Sequence, residues 1–284
     1  MSPAPIDQLV SNRASPLRGA ISIPGDKSIS HRSLILGSLA IGTTRVRGLL
    51  EGTDVMSTKD ALIALGVKIS RDNDGLWHIV GVGLNGMISP VAPLDLGNSG
   101  TGARLLMGVV AGQKITATFC GDASLSARPM ARITNPLEKM GANITSREGG
   151  LLPVTIQGTR SLIAAQHSSK IASAQIKSAI LLAGLNARGT TIVSEPSASR
   201  DHSESMLRHF GASISQEIAE DKTHRVKLAD GANLRAADVI VPSDPSSAAF
   251  AIVAALITPG SDIILCGIGM NPLRTGLITT LIEM

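Results

Sequence analysis

Four short polar clusters stand directly before apolar stretches and contain residue types that suit anion binding. They are Lys27-Ser28, Asn98-Ser99-Gly100-Thr101, Ser173-Ala174-Gln175 and Ser246-Ser247. Ser and Asn are preferred N-cap residues, and a helix N-terminus also offers free N–H groups and a positive dipole end to phosphate or carboxylate. The clusters therefore predict four helix starts, which are either four ordinary caps or, if they converge, one anion-binding basin.

Positively charged side chains stand beside these predicted helix starts. Lys27 precedes the first helix, and Arg32 lies about one turn into it. Arg128 follows a Ser-containing turn at 121–124, and Arg200 lies within the equivalent turn at 197–201. Arg suits bidentate contact with phosphate or carboxylate, and Lys suits a point-charge contact. Each cation alone also fits a solvated surface charge, so it is their grouping that favours an anion site.

Other reactive side chains lack the partners that known chemistries require. His31 and His202 belong to the residue type that titrates near neutrality, but neither has a nucleophile or metal-ligand spacing beside it. The motifs GxSxG and GxxxxGK[ST] are absent, which argues against serine hydrolases and P-loop proteins. Without a P-loop or a carboxylate pair for Mg²⁺, kinase chemistry is not expected. We predict that the protein uses no metal and no other cofactor.

Composition narrows the class of protein further. The 284 residues are 43% apolar, with three Phe, one Trp and no Tyr, and the net charge of +4 is spread along the chain. No basic run or set of stacking aromatic residues favours a nucleic-acid partner. The longest apolar run, 248–257, is about half of the ~20 residues that a membrane-spanning helix needs. With no secretory signal in residues 1–10 and two isolated cysteines, we predict a cytoplasmic protein without a membrane partner.

All four polar clusters belong to copies of one repeated pattern. In each copy the cluster is followed by an apolar helix, a glycine and a β-rich segment, and the first three copies continue with a second helix and further strands. The glycines after the first helices recur at intervals of 70 to 77 residues, at Gly42, Gly112, Gly189 and Gly260. The pattern predicts an α/β (α+β) fold of repeated βαβαββ units. The first helix of each unit is apolar nearly all round and should be buried.

The repeats also predict how the chain divides into lobes. Residues 25–242 should form a first lobe of three units, and residues 243–284 the start of a second lobe, with a hinge near 24–25 and 242–243. The fourth unit has a predicted second helix at 273–284 but lacks the strands that follow in the other copies. We therefore expect the chain to be a fragment of a longer protein.

Several motifs resemble signatures of the 5-enolpyruvylshikimate-3-phosphate synthase (EPSP synthase) family. The segment 24–32, with the sequence PGDKSISHR, is similar to the N-terminal signature of that family, and the segment 98–104, NSGTGAR, is similar to the second. The segments 121–125, 128–130, 173–179 and 199–202 resemble further family motifs in the same order. The likeness spans essentially the whole chain, and Arg200 matches the bacterial branch that has Arg rather than Tyr there.

The resemblance implies a fold, a reaction and two small-molecule partners. The fold has two lobes of three units each, and residues 1–24 would contribute a strand to the second lobe. The reaction transfers the enolpyruvyl group of phosphoenolpyruvate to the 5-hydroxyl of shikimate 3-phosphate, through a tetrahedral adduct that releases phosphate. This step belongs to the shikimate pathway of chorismate and aromatic amino-acid synthesis. The full-length protein would be a monomer.

The resemblance also implies which residues hold each substrate. Shikimate 3-phosphate would be bound by seven residues: Lys27, Ser28, Arg32, Ser173, Ala174, Gln175 and Arg200. Phosphoenolpyruvate would be bound by five, two of them shared with the first set: Lys27, Gly100, Thr101, Arg128 and Gln175.

The chain departs from the family in one respect that concerns catalysis. The Asp that serves the family as general base matches no position here and would lie beyond Met284, and Asp54 and Asp244 do not match it. We therefore assign no catalytic residue and expect the fragment alone to be inactive. Two alternatives stay open: a non-catalytic phosphate-binding remnant, or a relative of the enolpyruvyl transferase that acts on UDP-N-acetylglucosamine. That second family has Lys-Asn where this chain has Lys27-Ser28.

Overall fold

Three four-stranded sheets with the same internal order contain most of the described strands. The computed structural model describes residue 12 and residues 15–284. In each sheet a short leading strand runs parallel to the strand that follows the first helix of a unit. Two further strands continue the sheet in antiparallel fashion. The mixed α/β architecture predicted from the repeats is confirmed.

The helices and strands follow the repeats along the chain. One strand precedes the units: β1 (Arg18–Ile21). The first unit contains α1 (Lys27–Leu39), β2 (Ile41–Arg47), α2 (Thr53–Ala64), β3 (Lys68–Arg71) and β4 (Trp77–Val82). The second contains β5 (Leu94–Asp95), α3 (Gly100–Ala111), β6 (Thr116–Cys120), α4 (Ala123–Ser126), α5 (Ala131–Lys139), β7 (Asn143–Arg147) and β8 (Leu151–Gln157).

The third unit contains β9 (Gln166–Ser168), α6 (Ala174–Gly184), β10 (Thr191–Glu195), α7 (His202–His209), β11 (Ile214–Ile218) and β12 (His224–Leu228). The remaining elements are β13 (Val239–Ile240), α8 (Pro245–Leu256), β14 (Asp262–Leu265) and α9 (Gly276–Glu283). The helix predicted at 273–284 thus begins three residues later, because the preceding residues form a turn.

In the sheet of the first unit, the leading strand is β13, which follows the third unit in the chain. β13 pairs with β2, with Val239 opposite Val46, whereas β5 and β9 directly precede the helices of their own units. Because β13 follows the third unit, this pairing joins the third unit back to the first. β1 stands in the same parallel relation to β14, with Arg18 opposite Asp262.

The first helices of the three units form the centre of the protein. All residues from Ser30 to Leu39 in α1 and from Ile176 to Gly184 in α6 are buried, and α3 is similarly enclosed. Small residues let these helices approach closely. A Cβ added at Gly108 of α3 would collide with the carbonyl oxygen of Ala179 in α6. The predicted burial of these helices is confirmed.

The fourth apolar helix, α8, was also predicted to be buried but is largely exposed. Its sequence is as apolar as those of the central helices, yet only Pro245 and Ala248 are buried and Phe250 is 82% exposed. The reason lies in its surroundings within the described chain, because α1, α3 and α6 cover one another whereas α8 packs against β14. Burial of the fourth apolar helix was therefore a wrong prediction. None of the described helices is long and apolar enough to cross a membrane.

The two predicted hinge segments lie side by side. The N–H of Asp26 donates to the carbonyl of Pro242 at 2.7 Å, and the N–H of Asp244 donates to the carbonyl of Pro24 at 2.8 Å. Arg274 adds ion pairs of 3.1 Å to the carboxylates of Asp26 and Asp244. Of the segment 1–24 that was predicted to join the second lobe, residues 1–11, 13 and 14 lie outside the described residues.

The close approach of α3 and α6 predicts the effect of adding one methyl group. Gly108→Ala should lower the free energy of unfolding by about 1–3 kcal/mol, because the new Cβ meets backbone that cannot move without displacing a whole helix. Urea unfolding followed by circular dichroism measures this. Gly276→Ala is the control, because a Cβ there meets nothing within 4 Å. Equal stability of the two variants would contradict the packing argument.

Candidate functional site

The four predicted helix starts are all present, and all four are capped. Ser99 accepts the N–H of Gly102 at 3.1 Å for α3, and Ser173 accepts the N–H of Ile176 at 3.4 Å for α6. α1 and α8 instead use Asp26 and Asp244, one or two residues before the clusters that were predicted to start them. The caps of α3 and α6 are neutral serines, whereas those of α1 and α8 are carboxylates. The termini of α3 and α6 are therefore the ones that suit an added anion.

The N-terminal turns of α1, α3 and α6 meet. Gln175 Nε2 at the start of α6 donates to Thr101 Oγ1 at the start of α3 over 3.0 Å. In the next turn, Arg32 Nη2 of α1 donates to Ser178 Oγ of α6 over 2.9 Å. The predicted convergence of these three helix starts is therefore seen in the structure. The start of α8 lies beside that of α1, where its cap Asp244 accepts the backbone N–H of Lys27 at 3.3 Å.

Arg32 is more enclosed than the sequence suggested. Its side chain is 5% exposed, and three of its five N–H groups are already used. They donate to Ser203 Oγ at 2.7 Å, to the carbonyl of Ser28 at 2.9 Å and to Ser178. Burial, and secondarily the charge of Arg200, lower the pKa of Arg32 to about 10. Arg32 thus holds the start of α1 in place and keeps two N–H groups for a ligand.

Lys27 is the most accessible cation at the start of α1. Its side chain is 47% exposed and forms an ion pair with Asp54 of α2. Its backbone N–H points to Asp244 Oδ2 at 3.3 Å. An anion that approaches Lys27 must therefore compete with the carboxylate of Asp54, which is largely covered with 23% exposure.

A second group of cations surrounds Gly100 at the start of α3. Arg128 donates to Asn98 Oδ1 at 2.7 Å and to Ser124 Oγ at 3.1 Å. A Cβ placed on Gly100 would come within 2.7 Å of Arg104 Nη1 and 3.1 Å of Arg128 Nη1. Only a residue without a side chain leaves these guanidinium groups undisturbed.

The guanidinium groups near Gly100 form no ion pair with a described acidic residue. Asp122 lies nearby, and hydrogen bonds from Asn98 and Leu125, followed by the charge of Arg128, lower its pKa. In the described part of the chain, no carboxylate lies within 4.0 Å of the guanidinium nitrogens of Arg104, Arg128 or Arg132. Burial, followed by the charges of Arg128 and Arg132, lowers the pKa of Arg104. Such a surplus of positive charge is stabilised by a bound anion. Sequence reasoning did not single out Arg104, which lies one helical turn after Gly100 in α3, or Arg132, which lies in the first turn of α5.

His31 takes no part in the cation groups as a charged residue. It is fully buried, and its Nδ1 lies 2.9 Å from Thr58 Oγ1. Burial, followed by the charges of Arg32 and Lys27, lowers its pKa to about 3. His31 is therefore a neutral part of the α1–α2 contact near pH 7. No group of three His, Cys, Asp or Glu side chains among the described residues could hold a metal ion.

Comparison with known proteins gives a consistent match over the whole chain. Residues 11–284 match the family described as EPSP synthase (3-phosphoshikimate 1-carboxyvinyltransferase). A 3-phosphoshikimate 1-carboxyvinyltransferase of Methylorubrum populi is 60% identical over 95% of this chain and 60% of its own length. One from a Methylobacterium species is 56% identical over 99% of this chain and 63% of its own. The EPSP synthase structure from Acinetobacter baumannii superimposes with a TM-score of 0.87 at 46% identity, over 96% of this chain and 60% of that one.

The fold and the site define an α/β protein of repeated units with two cation groups at converging helix starts. The chain belongs to the EPSP synthase family. It spans about 60% of the length of the curated relatives that it matches. Neither the relative that acts on UDP-N-acetylglucosamine nor a non-catalytic remnant is favoured by these matches.

The buried neutral His31 predicts how stability depends on pH. The unfolded chain takes up a proton at this residue near pH 6.5, whereas the folded chain does so only near pH 3. Stability should therefore fall as the pH falls from 6.5 towards 3, with His31 contributing up to about 1.4 kcal/mol per pH unit. His31→Gln should remove that part of the slope in urea unfolding between pH 6 and 4.

The same measurement contains its own control. Above pH 7 His31 is neutral in both states, so the two proteins should show equal pH slopes there. An unchanged slope below pH 6 in His31→Gln would contradict the neutral, buried state of this side chain.

Proposed function

We propose that this chain takes part in the transfer of the enolpyruvyl group of phosphoenolpyruvate to the 5-hydroxyl of shikimate 3-phosphate. The observation that carries this proposal is the meeting of the α3 and α6 helix starts at the Gln175–Thr101 hydrogen bond, with a cation group on each side. Two anionic substrates that react with each other need two adjacent anion sites. The family match supports the choice of substrates.

The group at the start of α6 is proposed to bind shikimate 3-phosphate. Its residues lie on α1, at the N-cap and in the first turn of α6, and in the loop before α7: Lys27, Ser28, Arg32, Ser173, Ala174, Gln175 and Arg200. Arg200 is exposed and close enough to Arg32 to lower the pKa of Arg32. A phosphoryl group at this point would gain charge-assisted hydrogen bonds and the dipole of α6.

The group at the start of α3 is proposed to bind phosphoenolpyruvate. Its residues are Lys27, Gly100, Thr101, Arg128 and Gln175. Because glycine has no side chain, Gly100 leaves room beside Arg104 and Arg128. A carboxylate or phosphate there would neutralise the surplus positive charge. Lys27 and Gln175 belong to both groups and would lie between the two substrates.

This arrangement accounts for the binding part of the reaction. The 5-hydroxyl group loses its proton as its oxygen adds to C2 of phosphoenolpyruvate, and C3 of phosphoenolpyruvate gains a proton. Loss of phosphate and of a C3 proton from the tetrahedral adduct then yields the enolpyruvyl product. Holding two mutually repelling anions at reacting distance contributes to the rate through orientation and electrostatic stabilisation. No described residue is proposed as the proton-transferring group.

We also propose that the chain divides where its two hinge segments meet. Residues 25–242 would form one lobe, and residues 243–284 together with the segment 1–24 would belong to another. The parallel pairing of β1 with β14 supports this division, because it repeats the relation of β13 to β2 across the hinge.

The proposed shikimate 3-phosphate site predicts the effect of removing one exposed cation. Arg200→Gln should weaken binding of shikimate 3-phosphate at least about tenfold, because a charge-assisted hydrogen bond contributes about 1.5–3 kcal/mol. Isothermal titration calorimetry on the full chain measures this. Arg200 is a sharper probe than Arg32, whose loss would also disturb the buried contacts with Ser178 and Ser203.

Arg188→Gln is the matched control, because Arg188 is an exposed arginine at the far end of α6. It should bind shikimate 3-phosphate as tightly as the unaltered chain. The proposed function fails if the unaltered chain does not bind shikimate 3-phosphate, and the role of Arg200 fails if both variants bind equally.

A further inference from the structure

Three buried charged side chains form a cluster directly behind the proposed shikimate 3-phosphate site. The Lys177 cluster consists of Lys177 on α6, Glu195 at the end of β10 and Glu204 on α7. The three side chains are 3%, 2% and 0% exposed. Lys177 Nζ lies 3.0 Å from Glu195 Oε2 and 2.8 Å from Glu204 Oε1. The cluster thus joins three elements of the third unit through one ammonium group.

Glu195 extends this cluster to the backbone of the proposed site. Its Oε1 accepts the backbone N–H of Ser173 at 2.6 Å, and its Oε2 accepts the hydroxyl of Ser199 at 2.6 Å. Lys177 also donates to the carbonyl of Ser199 at 3.4 Å. One carboxylate therefore links the N-cap residue of α6 to the residue that immediately precedes Arg200.

These contacts determine which groups are left to face a ligand. Ser173 N–H is taken by Glu195, and Ser173 Oγ takes the N–H of Ile176. The next two N–H groups, those of Ala174 and Gln175, belong to the first helical turn and have no acceptor within a helix. The Ser199 contacts fix the backbone next to Arg200, so the side chain of Arg200 starts from a defined position.

Stability alone is a poor explanation for the Lys177 cluster. Two carboxylates share one ammonium group in a buried place, and both oxygens of Glu204 lack a hydrogen-bond partner of suitable geometry among the described residues. Burial raises the pKa of Glu204, against the opposing effect of Lys177. Well-packed apolar residues of similar volume are often as stabilising as a buried ion pair. The directional bonds from Glu195 to two site segments are what an apolar replacement would lose.

We propose that Glu195 is a positioning residue that aligns the start of α6 with the Arg200 loop so that both face one phosphoryl group. Lys177 neutralises Glu195 and holds its carboxylate in that orientation. This inference rests on the proposed function, because it names a residue that shapes the shikimate 3-phosphate site without touching the ligand.

Two double variants that differ only in polar contacts test the inference. Lys177→Met/Glu195→Gln and Lys177→Met/Glu195→Leu remove the same two charges and have similar volumes. Gln can still accept the N–H of Ser173 and donate to Ser199 Oγ, whereas Leu can do neither. Both variants keep Arg32 and Glu204, whose opposite charges interact.

The dissociation constant of shikimate 3-phosphate should separate the two double variants. We expect the Gln variant to bind within about threefold of the unaltered chain and the Leu variant to bind at least about tenfold more weakly. Calorimetry on the full chain gives the dissociation constants, and thermal unfolding shows whether the two variants are equally folded. Val193→Ala on the same strand controls for packing loss, because it leaves Glu195 intact and should keep its affinity.

A milder variant keeps the test valid if the double variants unfold. Ser199→Ala removes one of the two bonds to Glu195 at a half-buried position and should weaken binding of shikimate 3-phosphate about threefold or more. Ser205→Ala, an exposed serine on α7, should have no effect.

The outcomes separate the two proposals. Equal affinity in the Gln and Leu double variants, whether both are weakened or both unchanged, would overturn the positioning role of Glu195 while leaving the proposed function standing. If the double variants unfold, unchanged affinity in Ser199→Ala would overturn it. Absence of shikimate 3-phosphate binding by the unaltered chain would overturn the proposed function, and this inference with it.

Discussion

The contact between α3 and α6 determines where the candidate residues lie. These helices pack so closely that Gly108 has no room for a side chain against Ala179. As a consequence their N-terminal turns also meet, and Thr101 and Gln175 come within hydrogen-bonding distance. Residues 74 positions apart in the chain thereby form one continuous site. Such an approach requires small residues at the contact, which Gly108 and Ala179 provide.

The charges around this contact are arranged differently on its two sides. Around α6 the buried cations have internal partners, since Arg32 donates to two serines and Lys177 lies between two carboxylates. Around α3 the guanidinium groups of Arg104 and Arg128 stand without carboxylate partners in the described chain. The first arrangement fixes the shape of a site before a ligand arrives, and the second leaves charge for the ligand to neutralise. Together they suit two different anions held side by side.

Local sequence patterns predicted the repeated units, the buried central helices and the four helix starts, because these depend on apolar periodicity and N-cap preferences. Long-range features were not predictable in the same way. The pairing of β13 with β2 depends on how the third unit folds back, and the exposure of α8 depends on its neighbours rather than on its composition. The Lys177 cluster was also missed, because Lys177, Glu195 and Glu204 have no diagnostic spacing and meet only after three elements have packed.

The central claim is that the starts of α3 and α6 form one site for two anions, and a structure of the full chain with shikimate 3-phosphate tests it most directly. We expect phosphoryl oxygens within hydrogen-bonding distance of the N–H groups of Ala174 and Gln175 and of the Arg200 guanidinium. The hydrogen bond between Gln175 and Thr101 should remain. Shikimate 3-phosphate bound instead in the groove lined by Arg132, Lys139 and Lys170 would contradict the account.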